Sequence, residues 1–148
     1  MQQVYLARFF KIVSGRRSPL IRLGASSMYL PNEDLRIEVA GLLGWKPRQD
    51  IKVGLTFYQL SPWSGHYELV PDYPADDAAT ARDVLPEMTR RGWYYEIYSQ
   101  VGGGVGAKVD LDASLSGEGE MVFEPTFALA VCRAFVAAAK VMGDQAAS

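Results

Sequence analysis

The sequence predicts an α+β domain in which a mostly antiparallel sheet carries packed helices, in the manner of an α-β-α layered sandwich. Apolar residues recur with a helical period over about 33–43, 76–91 and 125–142, and with the two-residue period of strands over 53–60, 93–98 and 105–111. Short turns rich in glycine and proline follow several of the strand segments. Such turns favour antiparallel hairpins, because parallel strands need long crossovers.

The first helix is predicted to begin beside Asn32, a residue type that caps helix N-termini. Glu33 and Asp34 then place negative charge at the positive end of the helix dipole. Leu35 recurs at helical spacing with other apolar residues further along the segment. Gly44 follows the last turn, where glycine can adopt the left-handed conformation that ends a helix.

A hairpin is predicted next. Residues 53–60 alternate as a strand, the Ser61-Pro62-Trp63-Ser64-Gly65 segment has proline and glycine placed for a tight reversal, and residues 66–70 form the returning strand.

The second helix is predicted over about 76–91, with Asp76 or Asp77 as the N-terminal cap and Gly92 beyond its end. Its predicted buried stripe consists of Ala78, Ala81, Leu85 and Met88. Pro86 lies inside this pattern, where it removes one backbone donor and clashes with the preceding turn. We therefore expect a kink or a split into two shorter helices.

Two further strands and a final helix complete the domain. Trp93, Tyr95 and Ile97 share one face of a strand that pairs with 105–111 after a glycine-rich turn, and residues 120–123 form a short last strand beyond a polar loop. The final helix is predicted to open at Pro125, where a missing backbone donor is harmless. Its predicted buried residues are Phe127, Val131, Phe135 and Met142.

The chain is predicted to contain one domain, over residues 30–143, with a short tail at 144–148. Residues 1–29 form a basic N-terminal extension or an edge element, with five basic and no acidic residues up to position 27. We expect no secretory signal here, because Arg8 and Lys11 interrupt the apolar region that such a signal needs. An edge strand with a loop, an extension upstream of a start at Met28, and an organelle transit peptide all fit this composition.

Charge and composition exclude several classes of protein. The formal net charge is −2, and after position 27 ten basic residues face seventeen acidic ones, which argues against non-specific binding of nucleic acid by the main body. The basic segment before position 27 could still reach such a partner. No apolar run is long enough to span a bilayer. Cys132 is the only cysteine, so an intramolecular disulfide is impossible and a reducing compartment is favoured.

Four motifs suggest chemistry, and each has a simpler structural interpretation. The glycines at 102–106 lead into a strand rather than a helix, which favours a hairpin connection over a phosphate-binding loop. His66 could act as a base with Asp72 or Glu68, but sequence proximity does not establish geometry. Asp72, Asp76 and Asp77 lack the spacing of a calcium loop, and Cys132 is far in sequence from the only histidine. We therefore expect no metal, no cofactor and no catalytic residue.

The aromatic residues form the strongest candidate site. They crowd the predicted strands and adjoining turns, where only some can point into a small core. Exposed tyrosine and tryptophan beside arginine can stack on rings or form interfaces, although strands also carry aromatic residues for packing. The predicted ligand-binding set is Trp63, His66, Tyr73, Tyr94, Arg91 and Tyr98.

The order of these elements, with Gly44-Trp45, Tyr73 to Ala79, Gly92-Trp93 and Cys132-Arg133, resembles the small phage and prophage proteins of the phage ABA sandwich family. The resemblance covers about 30–142. It implies the layered fold and the cytoplasm of a host bacterium, which argues against a transit peptide. The family's function is unknown. Pro86, Ala81 and the segment before Met28 depart from the family pattern.

These observations together predict a non-enzymatic accessory binding protein of phage or prophage origin, acting in host interaction or against host defence. Its partner is expected to be a small anionic, nucleotide-like ligand or a host protein, with no membrane partner and with homo-oligomerisation possible. Two alternatives stay open. One is a small hydrolase that uses His66 with a nearby aspartate, and the other is a structural component of the virion.

Overall fold

The computed structural model describes residues 30–48, 57–111 and 121–147. Three helices and two three-stranded antiparallel sheets are present in these ranges, so the predicted α+β class is confirmed. In chain order the elements are α1 (Asn32–Leu43), β1 (Lys46–Pro47), β2 (Tyr58–Leu60), β3 (Tyr67–Leu69), α2 (Asp77–Arg90), β4 (Tyr94–Ser99), β5 (Val105–Asp110), β6 (Met121–Glu124) and α3 (Phe127–Ala147). The basic segment at 1–29, most of the strand predicted over 53–60 and the loop at 112–119 lie outside the described ranges.

The core forms where α3 packs on the larger sheet. Strands β4, β5 and β6 pair in that order, and the register sets Ala107 opposite Val122 on the face that turns toward the helix. Phe135 of α3 is fully buried, and its ring lies 6.0 Å from the ring of Trp93. Tyr95 and Ile97 pack against the same core, which confirms the predicted inner face of β4.

The ends of α1 and α2 follow their sequence signals in part. The Asp76 side chain caps α2 by accepting from the backbone N–H of Ala79 at 3.0 Å, and Gly44 ends α1 at a φ of 101°. The predicted cap of α1 is wrong: Asn32 lies in the first turn, Pro31 takes the N-cap position, and no side chain caps this end. Glu33 and Asp34 still supply the favourable charge in the first turn.

The predicted buried stripe of α2 is off by about one position. Ala78 and Ala81 are exposed, whereas Met88 is buried as predicted. Buried side chains of α2 are Ala79, Thr80, Asp83, Val84 and Met88. The polar side chains of Thr80 and Asp83 can be buried because both are hydrogen-bonded to Tyr73. The Thr80 hydroxyl donates to the Tyr73 backbone carbonyl, and Asp83 accepts from the Tyr73 hydroxyl.

Both prolines predicted to shape a helix can be compared with the structure. Helix α2 runs continuously from Asp77 to Arg90, so of the two outcomes predicted at Pro86 the split is not found, and the kink stays a prediction. The last helix begins at Phe127 rather than at Pro125, and the Thr126 hydroxyl accepts from the backbone N–H of Leu129 at 3.3 Å. A hydroxyl at this position stabilises a helix start better than proline alone does.

The smaller sheet orders its strands β1, β2 and β3. The register pairs Leu60 with Tyr67 and Tyr58 with Leu69, which confirms the predicted hairpin around residues 61–66. Strand β1 was not predicted, and it pairs Lys46 with Leu60. This hairpin stands beside α2 and forms one wall of a cavity.

Candidate functional site

An open cavity of about 560 Å³ lies between the β2–β3 turn and helix α2. Its volume is in the range typical of small-molecule sites. The lining residues are Trp45, Ser61, Trp63, Ser64, Glu68, Leu69, Pro71, Arg82 and Asp83. The lining therefore combines two indoles with two hydroxyls and three charged groups.

Side-chain hydrogen bonds hold the β2–β3 turn in one shape. The buried hydroxyl of Ser61 accepts from the backbone N–H of Trp63 at 3.1 Å and from that of Ser64 at 3.2 Å. The Ser64 hydroxyl accepts from the N–H of His66 at 3.1 Å and donates to the Glu68 carboxylate. These bonds satisfy backbone N–H groups within the turn. The backbone that carries Trp63 and Glu68 is therefore held in a defined conformation.

Trp63 forms the exposed wall of the cavity. Its side chain is 59% exposed, which is unusual for so large an apolar group. Its ring meets the buried Trp45 ring edge to face, with centroids 5.9 Å apart and planes at 80°. This contact holds the Trp63 ring in place, and its exposed fraction leaves part of the ring surface open to a ligand.

A chain of buried hydrogen bonds forms the floor. The Trp45 Nε1–H donates to the Tyr73 hydroxyl at 3.1 Å, and that hydroxyl donates to Asp83 Oδ2 at 2.7 Å. Burial, together with the bond to Asp83, raises the pKa of Tyr73 well above its ordinary value. Tyr73 is therefore a neutral donor throughout the physiological range.

The Arg82 side chain lies at the rim of the cavity, where it pairs with Asp83 of the floor. Its Nε and Nη2 donate to the two oxygens of Asp83 at 2.7 and 2.9 Å. The Asp83 carboxylate is buried, whereas the Arg82 side chain is 65% exposed. The fork uses two of the five N–H donors of a guanidinium, so three are left for other acceptors.

The charges of the lining favour a particular kind of ligand. Arg82 balances Asp83, and the Glu68 carboxylate leaves the lining with a net charge of about −1. A carboxylate accepts N–H donors and a guanidinium donates to phosphate or carbonyl oxygens. The cavity is thus suited to a planar ring with N–H donors and at most a modest negative charge.

The predicted site residues divide between several places. Trp63 lines the cavity, and the ligand-binding role predicted for it stays a prediction. Tyr73 is fully buried beneath it, so its place is in the floor and not at a ligand surface, which corrects the prediction. His66 is exposed in the turn, and its ring makes no hydrogen bond or ion pair with any described residue.

The other three predicted residues lie elsewhere. Arg91 joins α2 to α1: its Nε pairs with Glu87 at 2.7 Å and its Nη2 donates to the carbonyl of Leu42 at 2.8 Å. These contacts give Arg91 a packing role, and the ligand role predicted for it stays a prediction. Tyr94 is half exposed on the larger sheet, and the Tyr98 hydroxyl donates to Glu96 at 2.5 Å on the same face of β4.

Sequence reasoning missed Glu68, Arg82 and Asp83 as members of one site. Adjacent helical residues do not normally face each other, so the Arg82–Asp83 fork has no pattern in the sequence. The two serines at 61 and 64 carried a usable signal, because serine side chains commonly close turns onto nearby backbone N–H groups.

Cys132 is not placed for chemistry. It is fully buried, its Sγ lies 3.5 Å from the Thr80 hydroxyl, and burial raises the pKa of the thiol to about 12. A thiol with so high a pKa is a poor nucleophile. Among the described residues no group of three or more His, Cys, Asp or Glu side chains is arranged to hold a metal ion.

Comparison with protein-family models, with curated proteins and with solved structures finds no match for this chain. In the described ranges no helix combines the length and the apolar character needed to cross a bilayer. Fold and site thus define a small α+β protein with an aromatic, charge-lined cavity, and the resemblance to the phage ABA sandwich family stays a prediction.

Proposed function

We propose that this chain is a non-enzymatic binding protein that holds a small, nucleotide-like ligand in the cavity between the β2–β3 turn and α2. The observation that carries the proposal is Trp63, a largely exposed indole held by a hydrogen-bonded turn at the wall of a polar cavity. An exposed tryptophan fixed in this way offers a stacking surface at little entropic cost.

The base and the phosphate of a nucleoside monophosphate match three groups of the cavity. The base stacks on Trp63, an N–H edge of the base donates to Glu68, and the phosphate accepts from the remaining donors of Arg82. The net negative lining disfavours nucleoside triphosphates, because their added charge meets only one cation. A guanine base fits best, since it carries adjacent N–H donors on one edge.

The biological role follows from the predicted origin. A phage or prophage protein that captures a host nucleotide signal would act as a host-interaction or anti-defence factor without turning the ligand over. The buried, protonated thiol of Cys132 and the unpartnered ring of His66 supply no activated nucleophile in the described part of the chain.

Isothermal titration of the purified chain with guanosine monophosphate, adenosine monophosphate, guanosine and inorganic phosphate tests the proposal. We expect the guanine nucleotide to bind more tightly than the others and to be recovered unchanged. Trp63→Ala should weaken binding about tenfold to a hundredfold, the range for loss of one stacked base. Glu68→Gln should reduce the preference for guanine over adenine.

Tyr94→Ala is the matched control, because it removes a similarly exposed aromatic ring from the other sheet. It should leave nucleotide affinity unchanged, and circular dichroism should show all variants folded. Absence of nucleotide binding at concentrations of about 1 mM, or equal affinity in Trp63→Ala and the native chain, would overturn the proposal.

A further inference from the structure

The longest edge strand in the described ranges is β4. Strands β4, β5 and β6 pair in that order, so among the residues that the structure describes β4 has a neighbouring strand on one side only. It has six residues, whereas the other edge strands, β1, β3 and β6, have two, three and four. A strand at a sheet edge presents backbone groups that can pair with a further strand.

The hairpin geometry fixes which backbone groups of β4 point away from the sheet. The Gln100 N–H donates to the Gly104 carbonyl at 3.0 Å, so the backbone of Gln100 points toward the paired strand. Successive residues of an antiparallel strand point alternately toward and away from their neighbour, and the register with Ser99 opposite Val105 carries this alternation along β4. The residues whose N–H and C=O groups point outward are therefore Tyr95, Ile97 and Ser99.

This outer edge lacks the features that usually keep edge strands apart. Proline, lysine and β-bulges are the common protections. Strand β4 contains neither proline nor lysine, and its pairing with β5 has no bulge. Its one charged residue, Glu96, lies opposite Lys108 of β5. The outward groups have no hydrogen bond to any described residue, so nothing in the described ranges covers or repels a further strand here.

Strand β4 is complementary to a second copy of itself. Two copies can pair antiparallel about a two-fold axis at Ile97, so that Tyr95 of one copy faces Ser99 of the other. All outward groups of both strands are then paired, in about six hydrogen bonds. An axis at Glu96 would leave about four of these bonds and would place two carboxylates directly opposite each other.

The side chains on both faces of the pairing are also compatible. The register centred on Ile97 sets Glu96 of one copy opposite Tyr98 of the other, which are a carboxylate and a neutral phenol. Within one chain the Tyr98 hydroxyl already donates to Glu96 at 2.5 Å, so these two groups tolerate close contact. On the opposite face the two Ile97 side chains form an apolar cross-strand pair beside the core.

We propose that two copies of the chain pair through β4 and join their larger sheets, of three strands each, into one continuous antiparallel sheet. Pairing over residues 95–99 buries less than the roughly 800 Å² per partner of a stable interface. The dimer is therefore reversible, with a Kd on the order of 10 μM. No residue of β4 lines the cavity, so the inference does not depend on the proposed nucleotide site.

Sedimentation velocity of the full chain between about 1 and 300 μM tests the inference. We expect monomer at the low end and dimer at the high end. Ser99→Pro removes an outward N–H at an exposed edge position, where proline is tolerated. The loss of one bond from each copy should weaken dimerisation about tenfold to a hundredfold. Ser99→Ala, which keeps the N–H, is the matched control and should dimerise like the native chain.

Amide hydrogen exchange of the native chain locates the contact without any substitution. The N–H groups of Tyr95, Ile97 and Ser99 should be protected only at concentrations where the dimer forms. The N–H of Glu96 points toward β5 and should be protected at every concentration.

Three results would overturn the inference. The first is a chain that stays monomeric at all concentrations, which would leave the edge to a strand of another protein. The second is a folded Ser99→Pro variant that dimerises as tightly as the native chain. The third is exchange of the outward amides that does not change between monomer and dimer, since the copies would then meet through another surface.

Discussion

The hydroxyl of Tyr73 donates to Asp83 Oδ2 at 2.7 Å while it accepts from Trp45 Nε1 at 3.1 Å. One buried atom thus joins the residue before β1 to helix α2. The backbone carbonyl of Tyr73 also accepts from the Thr80 hydroxyl at 2.7 Å. Through these bonds the floor of the cavity and the interior of the fold share one polar network.

Removing that hydroxyl should destabilise the protein. Tyr73→Phe keeps the ring but leaves the Trp45 N–H unpartnered and deprives the buried carboxylate of Asp83 of one donor. The expected loss is about 1–3 kcal/mol of unfolding free energy, measured by urea denaturation with circular dichroism. Tyr94→Phe removes an exposed hydroxyl and should change stability by less than about 0.5 kcal/mol. Equal losses in both variants would contradict the network.

Local signals in the sequence predicted a good part of the fold. The Asp76 cap, the Gly44 terminus and the β2–β3 hairpin each depend on a few neighbouring residues, and each is found. The pairing of β4 with β5 was also predicted from two alternating segments joined by a glycine-rich turn, and it is found. Elements whose geometry is set by residues close in sequence are the ones that such patterns can reveal.

Contacts between distant residues account for what was missed. Thr80 and Asp83 lie outside the predicted buried stripe of α2, yet both are buried in the structure, where they are hydrogen-bonded to Tyr73. The site shows the same limit: Trp63 was predicted from its exposed turn, whereas Arg82 reaches the cavity only because α2 packs beside that turn. Hydrophobic periodicity carries no information on buried polar partners.

The thiol of Cys132 should report on unfolding. It is fully buried, and its pKa of about 12 lies above the value of 9.0 expected when unfolded. Reaction with a disulfide reagent near neutral pH should be slow in the native protein and immediate in concentrated urea. Fast labelling of the native protein would mean that α3 opens readily or that the thiol is accessible.

The same thiol gives a pH effect of known sign. The unfolded chain loses the thiol proton at lower pH than the folded chain, so stability contributed below pH 9 is lost as pH rises toward 12. Cys132→Ala should lessen this alkaline loss, measured as urea denaturation midpoints between about pH 8 and 10. An unchanged alkaline profile would show that the thiol is not desolvated.

Pro86 is expected to cost stability. It lies in the continuous helix α2 with an exposed side chain, and its missing N–H leaves one helical carbonyl without its usual partner. Pro86→Ala should raise the free energy of unfolding by about 2 kcal/mol, after the greater entropy of the unfolded chain is allowed for. Thermal denaturation measures this, with Ala81→Gly as a destabilising reference on the same helix. A lower melting temperature would show that α2 requires the proline.

Glu87 should make stability depend on pH in the acid range, as Cys132 does in the alkaline range. Its carboxylate accepts from Arg90 Nε at 2.9 Å and from Arg91 Nε at 2.7 Å, and the bond to Arg90 is the main cause that lowers the pKa of Glu87. A lowered pKa means that stability is present above the ordinary value of 4.5 and is lost as pH falls below it. Glu87→Gln should therefore destabilise by up to about 1 kcal/mol near pH 7.

Near pH 3 that difference should shrink toward zero, because protonation of the native carboxyl removes the same ion pairs. Glu38→Gln is the control, since Glu38 is exposed on α1 and forms no ion pair with any described residue. It should leave stability unchanged at both pH values. If Glu87→Gln lowers the free energy of unfolding as much in acid as at pH 7, the loss comes from packing of the side chain. The connection from Glu87 through Arg91 to the Leu42 carbonyl would then be steric rather than electrostatic.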